Sequence, residues 1–313
     1  MKNSNTDIQN YLISGFYFSN DEIENDKIRH LRSIILENLK NLNKNTIDFI
    51  DFTEELRLLV INLFTSNRIR NFITRLRLEL NTDISILPII HIMKNYHVNR
   101  LKTPGVGWHR DCAGEFQYEY CNNILSKKEY VFGKIGIYLQ DNSLEIGGGI
   151  DLIPKSHSYI REKNFIKRKV SAIRLIIVKI LQKYFLNIYK FLPESFYIKF
   201  LRALKIAAKP GNPVFFDSRI VHRGSPINDN LINNFKEFDN LHYELPDEKA
   251  KISIYCQFGS SVAVSSYLYD RLRRKKGEFE NWFKEIELYK NYSKELHFSA
   301  LKTMHDANLG SLK

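Results

Sequence analysis

Two short segments that lie far apart in the chain constrain its fold more than any other feature. The first is the tetrapeptide Trp-His-Arg-Asp at 108–111, and the second is the apolar run at 214–222, which ends in a histidine. In an extended strand, side chains alternate between faces, so His109 and Asp111 point the same way. We expect a second strand to bring His222 to that face.

Two histidines and one carboxylate on a common face form a typical metal-binding set. This set leaves half of an octahedron open, as in the non-haem Fe(II) oxygenases. We therefore predict that His109, Asp111 and His222 bind a metal ion, and that a co-substrate and dioxygen use the open half. Zn(II) with a bound water, as in a hydrolase, is an alternative occupant of the same three side chains.

The segments around these ligands have the composition of strands and turns. Pro104 to Gly107 form a turn before His109, and the run at 134–142 is a strand that ends in turn residues. A glycine-rich segment at 147–157 ends in Pro-Lys-Ser-His. Beyond a long interruption, a Pro-Gly-Asn-Pro turn at 210–213 precedes the His222 strand. His-Arg-Gly-Ser follows at 222–225, and an alternating strand runs over 249–258.

The order of these motifs resembles the phytanoyl-CoA dioxygenase family of Fe(II)/2-oxoglutarate oxygenases, over residues 11–262. The resemblance begins at 11–16, which is similar to the family's opening Gly-Phe strand. It implies an α+β chain with a mainly β core: a cupin-like double-stranded β-helix, or jelly roll, of eight core strands. It also implies the cofactors Fe(II), 2-oxoglutarate and O2. The carboxylate of Asp111 favours hydroxylation, because halogenating relatives carry a small residue there.

The resemblance also suggests how 2-oxoglutarate binds. Lys251 stands where the family usually has an arginine for the far carboxylate, and it offers a point charge instead of a two-pronged contact. Ser225 either hydrogen-bonds the same carboxylate or caps a turn. Lys134 and Tyr138 share a strand face and are predicted to line the cofactor pocket, with packing or a surface position as the alternative.

Four further residues lie close to these motifs. We expect His157 to be structural, closing the glycine-rich turn, and Trp108 to belong to the core. Alternation turns Arg110 and Arg223 away from the metal. Either arginine is a candidate to bind an anionic substrate.

Length and composition describe one globular unit. The 313 residues are 43% hydrophobic and 26% charged, which is ordinary for a globular protein, so we predict a single oxygenase domain over 1–313. The three cysteines have neither a paired nor a metal-ligand spacing, and the polar start lacks the apolar core of a signal peptide. These features predict a cytoplasmic protein.

Hydrophobic spacing divides the chain into five parts. Residues 1–88 are expected to be mostly helical support, with a capped helix start at 20–24 and helices near 54–66 and 68–80. The jelly-roll core is assigned to 88–160 and 207–262, with strands beginning near Ile89. A helical insert spans 161–206, and C-terminal helices span 263–313.

The insert carries nearly all of the net charge. Residues 161–209 contain thirteen Lys or Arg and two acids, a net charge of +11 in a chain of +12. Two basic amphipathic helices are predicted. The second carries Lys199, Arg202 and Lys205 on one face, opposite Phe196 and its apolar neighbours. Such helices are typical of an anionic membrane surface; the alternative is a cap that packs on the barrel. No motif for nucleic-acid binding is present.

These observations predict a dioxygenase that hydroxylates an unactivated C–H bond of a small molecule and releases succinate and CO2. The basic, apolar insert favours a lipid or lipid-linked glycan as the substrate. Two alternatives remain: a non-catalytic jelly-roll module that binds a membrane surface, and a metal-dependent hydrolase.

Overall fold

The computed structural model describes the parts of the chain that build the predicted core. These are residues 4–19, 25–95, 97–98, 108–111, 131–140, 142, 149–157, 173–174, 176–178, 180–181, 184–185, 194–225, 242–243, 250–260 and 288. The predicted helix start at 20–24 and nearly all of the predicted C-terminal helices lie outside these residues.

Four of the described helices precede the main strands, and another lies in the insert, where residues 173–174, 176–178, 180–181 and 184 are also helical. These helices are α1 (Ser4–Ser14), α2 (Asn25–Asn41), α3 (Glu54–Phe64), α4 (Asn67–Leu80) and α5 (Glu194–Leu201). The apolar residues of α2 that recur at helical spacing are buried, as predicted: Ile28, Leu31, Ile35 and Leu39. Thr53 caps α3 by accepting a hydrogen bond from the Leu56 N–H, and Asn81 ends α4 in the left-handed conformation.

Eleven strands lie in the described residues. They are β1 (Phe16–Phe18), β2 (Thr46–Asp48), β3 (Ile84–Asn95), β4 (His97–Val98), β5 (Phe132–Tyr138), β6 (Ile150–Ile153), β7 (Leu204–Ile206), β8 (Pro213–Asp217), β9 (Val221–Gly224), β10 (His242–Tyr243) and β11 (Lys251–Ser260). All of the registered pairings are antiparallel.

The strands form two sheets and one short pair. The larger sheet has the order β1-β8-β5-β11-β3-β2, the smaller sheet has β7-β6-β9, and β4 pairs with β10. Segment 108–111 extends the smaller sheet, because His109 forms an antiparallel bridge to His222 in β9. The backbone N–H of each of these histidines donates to the carbonyl of the other, at 2.9 and 2.8 Å.

The path of the chain between the sheets identifies the fold. β3, β5, β8 and β11 lie in the larger sheet, while segment 108–111, β6, β7 and β9 lie in the smaller one. Eight segments that alternate in this way between two antiparallel sheets form a jelly roll. The predicted fold class, an α+β chain with a double-stranded β-helix as its core, is therefore confirmed.

Each sheet face has its own apolar cluster. Helices α1 to α4 cover the outer face of the larger sheet, where Ile135, Phe215, Ile254 and Phe258 join their core. Between the sheets lies a second cluster, which includes Tyr138, Ile150, Leu152, Val214 and Phe216. The alternation of buried side chains along β5 and β8 accounts for both clusters, since successive residues face opposite sides.

The insert covers the outer face of the smaller sheet. Val178, Tyr197 and Leu201 are buried there against Trp108 and Val221. Trp108 is therefore a core residue, as expected. Part of the insert's apolar surface thus caps the barrel. Among the described helices, none combines the length and the hydrophobicity that crossing a bilayer requires.

Three element boundaries differ from the sequence predictions. Strand β3 begins at Ile84, earlier than expected, and the start of segment 11–16 is helical because α1 continues to Ser14. The second insert helix ends at Leu201, where Arg202 takes a positive φ of 56°. Lys205 consequently lies on β7 and not on a helix face with Lys199. Pairing of β7 with β6 explains this change, because the strand satisfies its backbone hydrogen bonds in the sheet.

Candidate metal centre

The structure brings the three predicted ligands together inside the jelly roll. His109, Asp111 and His222 each offer one ligand atom, and these atoms lie within 4.8 Å of one another. The Oδ1 atom of Asp111 is 4.0 Å from Nε2 of His109 and 3.6 Å from Nε2 of His222. Two strands that are distant in sequence therefore supply one potential metal site.

His222 is oriented for metal binding through Nε2. Its ring Nδ1 donates a hydrogen bond to the Ile220 carbonyl at 3.0 Å. This contact selects the tautomer that leaves the Nε2 lone pair available, a common arrangement around metal-binding histidines. Burial lowers the pKa of His222 to about 4, although Asp111 opposes the shift. The ring is therefore neutral at pH 7, as a ligand must be.

Asp111 supplies a charged carboxylate, and only one of its two oxygens accepts a hydrogen bond from the described residues. Its Oδ1 accepts from the Lys134 ammonium at 3.0 Å. Burial raises the pKa of Asp111, but Lys134 and the two histidines outweigh it and hold that pKa below its usual range. The other oxygen, Oδ2, is buried and has no hydrogen-bond partner among the described residues. An unsatisfied buried carboxylate oxygen is costly, so this feature fits a bound cation.

The site opens on the side of His109. The His109 side chain is 54% exposed, whereas those of Asp111 and His222 are 16% and 7% exposed. Two ligands are thus anchored in the interior, and the third lies at the surface of the described structure. A co-substrate can reach the metal position from this side.

The larger sheet provides a polar and aromatic wall opposite the ligands. Lys134 and Tyr138 both face the interior, and Tyr138 packs in the apolar cluster between the sheets, which was the alternative to cofactor binding. Tyr255, on the neighbouring β11, lies 5.9 Å from Lys134 Nζ, measured to the ring centroid, and its ring is 5.3 Å from that of His91. Burial, followed by the proximity of Tyr255, raises the pKa of Tyr138 well above its usual range, so this phenol stays neutral.

Lys251 and Ser225 are neighbours at one end of the barrel. The buried Lys251 ammonium donates to the Ser225 carbonyl at 2.9 Å. The Ser225 hydroxyl instead donates to Asp151 at 2.5 Å. Burial lowers the pKa of Lys251 to about 8, while Asp151 raises it and Lys205 lowers it further. Lys251 and Ser225, which were both predicted to bind the cofactor, are thus joined by a hydrogen bond to the Ser225 carbonyl.

The sequence reasoning missed Asp151 and Tyr255. Asp151 is fully buried and forms an ion pair with Arg223 at 3.0 Å, and the Arg223 guanidinium lies 4.5 Å from the Trp108 ring centroid. The charge of Arg223 is therefore matched inside the protein by the Asp151 carboxylate. A period-two pattern could have found Tyr255, because polar residues alternate with apolar ones along β11. Asp151 had no such signal, since its partner is 72 residues away.

Two other residues near the motifs support the framework. His157 lies over Gly15, and its Nε2 is 3.1 Å from the Leu12 carbonyl. This contact fixes the N-terminal helix to the glycine-rich turn and fits the expected structural role. The Arg110 side chain donates from Nε to the Arg219 carbonyl at 2.8 Å, which joins segment 108–111 to the turn before β9.

Comparisons with known proteins give structural neighbours only. No protein-family model matches the chain, and no curated protein is similar to it. Solved structures similar to it include AviO1 from Streptomyces viridochromogenes Tue57, with 12% identity, coverage of 83% of this chain and 96% of that chain, and a TM-score of 0.46. The non-heme alpha ketoglutarate dependent carbocyclase SnoK from nogalamycin biosynthesis has 13% identity, coverage of 82% and 83%, and a TM-score of 0.46.

A third neighbour is EctD from S. alaskensis with bound Fe. It has 13% identity to this chain, coverage of 82% of this chain and 76% of that chain, and a TM-score of 0.47. Identities and TM-scores this low carry no argument about function.

Proposed function

We propose that this chain is an Fe(II)- and 2-oxoglutarate-dependent oxygenase. The observation that carries the proposal is the group of His109, Asp111 and His222 inside a jelly roll, with a buried and unpartnered Asp111 oxygen. Two imidazoles and one carboxylate suit Fe(II) and leave coordination positions open for a co-substrate. When bound, the iron supplies the activation of O2, which the side chains of the chain lack.

Two lysines of the barrel support the binding of a dicarboxylate. Lys134 contacts a metal ligand, so it lies at the metal end of such a molecule. Lys251 contacts none of the three ligands and is buried beside Ser225, so we assign it the far carboxylate of 2-oxoglutarate. Burial strengthens such a pairing, because the ammonium and the carboxylate interact in a low dielectric.

Within this class, the finer proposal is hydroxylation of an unactivated C–H bond of a small molecule. One oxygen atom of O2 enters the product and the other enters succinate, while 2-oxoglutarate loses CO2. Asp111 supports this outcome, because it keeps the third ligand position occupied by protein. The contribution of the barrel is to hold the C–H bond near the metal and to exclude water.

For the substrate, we propose a lipid or lipid-linked glycan. Support comes from the insert, whose inner side packs on Trp108, the residue next to the exposed ligand His109. A substrate held at a membrane surface would approach from the side on which the site opens. This proposal also implies a cytoplasmic protein that acts at the inner face of a membrane.

The first experiment measures succinate. Protein loaded anaerobically with Fe(II) and 2-oxoglutarate is exposed to oxygen, and succinate is quantified beside the His109→Ala/Asp111→Ala variant. We expect succinate from the wild type alone, since uncoupled turnover does not require the substrate. The Lys251→Ala variant should bind Fe(II) normally but require a higher concentration of 2-oxoglutarate.

Two results would contradict the proposal. Failure of the Fe(II)-loaded protein to bind 2-oxoglutarate would favour a non-catalytic binding module. Zn(II)-dependent hydrolytic activity without oxygen would favour a hydrolase.

A further inference from the structure

We propose that the outer side of the insert is a docking face for an anionic lipid surface. The docking face consists of six large side chains that are 40–65% exposed: Ile173, Ile176, Ile177, Ile180, Tyr184 and Phe185. The sequence predicted that the apolar sides of the insert helices either pack on the barrel or face a membrane. The structure shows apolar residues on both sides, and only the inner side meets the barrel.

The inner side shows that the segment is held in place. Val178 is 1% exposed and Leu181 packs beside it, within a cluster that includes Tyr197 and Leu201 of α5. At helical spacing, five of the six side chains of the docking face lie on a different side from Val178 and Leu181, so they point away from the smaller sheet. Phe185 follows Leu181 by four residues and is half exposed where the helical residues end. Anchoring on one side and exposure on the other are the two properties that a docking element requires.

The docking face is a concentration of apolar surface that the rest of the described chain lacks. Other exposed large apolar residues are dispersed over separate elements, such as Leu42, Leu58 and Leu78. Single exposed apolar residues are ordinary, whereas a contiguous group indicates an interaction site. Phe196 of α5, 41% exposed, adds to the same region.

Charge identifies the occupant. Residues 161–209 carry +11 of the net charge of +12, and Lys199 and Arg202 are exposed beside α5. Isoleucines and aromatic residues in a segment rich in lysine and arginine are the composition of helices that lie in the interface of acidic membranes. Each basic residue near such a surface strengthens binding about fivefold. The docking face is therefore matched to acidic phospholipid.

Docking would turn the outer face of the smaller sheet toward the bilayer, with the candidate metal centre on the inner face of the same sheet. The anchored side of the insert contacts Trp108, and the adjacent His109 is the most exposed of the three ligands. Only this consequence, delivery of a lipid substrate to the metal, rests on the proposed function. Lipid binding itself requires neither iron nor catalysis, so the two proposals can fail separately.

The experiment is flotation of the full chain with vesicles of phosphatidylcholine, with and without phosphatidylglycerol, performed with both metal-free and Fe(II)-loaded protein. We expect binding only to the acidic vesicles, weakened by salt. The Ile176→Ser/Ile177→Ser/Ile180→Ser variant should bind at least about tenfold more weakly, because it loses buried apolar area. Neutralising Lys179, Lys183, Lys199 and Arg202 should also weaken binding.

The matched control is Leu42→Ser/Leu58→Ser/Leu78→Ser, which removes at least as much exposed apolar surface elsewhere and should float like the wild type. Thermal unfolding checks that both triple variants fold. Absence of binding to acidic vesicles, equal binding to neutral ones, or equal losses from the two triple variants would overturn the proposal. So would a stable dimer that the isoleucine variant dissociates, since a second copy would then cover the face.

Discussion

At the scale of single residues, the candidate site depends on how each charge is balanced. Asp111 keeps its negative charge because Lys134 and two imidazoles surround it, while burial keeps His222 neutral. For Lys251, in contrast, burial lowers the pKa of the ammonium to about 8, so this cation loses its charge just above neutral pH. Such shifted groups in a cleft are typical of functional sites.

Lys251 should make 2-oxoglutarate binding sensitive to pH. Its pKa is lowered to about 8, so the ammonium is charged below that pH and lost above it. A carboxylate needs the charged form, so we expect affinity to be nearly constant up to about pH 7, about twofold weaker at pH 8 and about tenfold weaker at pH 9. Anaerobic calorimetry measures this. The Lys251→Arg variant should bind equally well at both pH values, because arginine stays charged; a pH dependence shared by the variant would exclude Lys251 as the cause.

Gly15 should not tolerate a side chain. Its φ is +86°, and an added Cβ would lie 2.4 Å from the His157 ring. We expect Gly15→Ala to lower the free energy of unfolding by more than about 1 kcal/mol, measured by urea denaturation. Gly224→Ala is the control, because its Cβ would have no atom within 4 Å. Equal effects of the two changes would refute the proposed contact.

At the scale of elements, the insert is the part whose role the sequence left undecided. Its helical periodicity and basic charge were visible, but a helix with apolar residues on several sides has no unique inner face. Contact with Trp108 and Val221 determines that face. A tertiary contact also determines where α5 ends. It ends at Leu201 because the residues that follow form β7, which pairs with β6.

Neighbouring residues of α5 should differ sharply in their effect on stability. Tyr197 is fully buried, whereas Phe196 is 41% exposed. We expect Tyr197→Ala to destabilise the protein by about 3–5 kcal/mol and Phe196→Ala by less than about 1 kcal/mol. Chemical denaturation of both variants gives the comparison. Similar losses would mean that the insert is not held on the barrel as described.

At the scale of the whole molecule, the metal site joins two parts of the chain that are far apart in sequence. His109 and His222 meet only because segment 108–111 pairs with β9 in the smaller sheet. A ligand that binds the folded state stabilises it by about 2.7 kcal/mol at a hundredfold excess over Kd. Fe(II), added anaerobically, should therefore raise Tm, and a chelator should reverse the effect. The His109→Ala/Asp111→Ala variant should not respond; an equal response would place the metal elsewhere.

Much of the fold was readable from the sequence because its signals are local. The alternation around His109 and the helical spacing of α2 are properties of short segments, and they predicted the candidate metal ligands and that helix. The jelly roll was predicted from the order of the motifs, through its resemblance to the phytanoyl-CoA dioxygenase family. Helix and strand periods act within a few residues, so sequence order alone carries them.

The tertiary structure decided what depends on distant partners. The burial of Asp151 with Arg223, the contact of Lys134 with Asp111 and the inner face of the insert each join residues from separate elements. No local pattern encodes such pairs, because an ion pair or a packed face forms only when the complete chain brings its members together. The sequence by itself therefore determined which residues could bind a metal, and the packing of the two sheets determined the charges and the exposed surface around them.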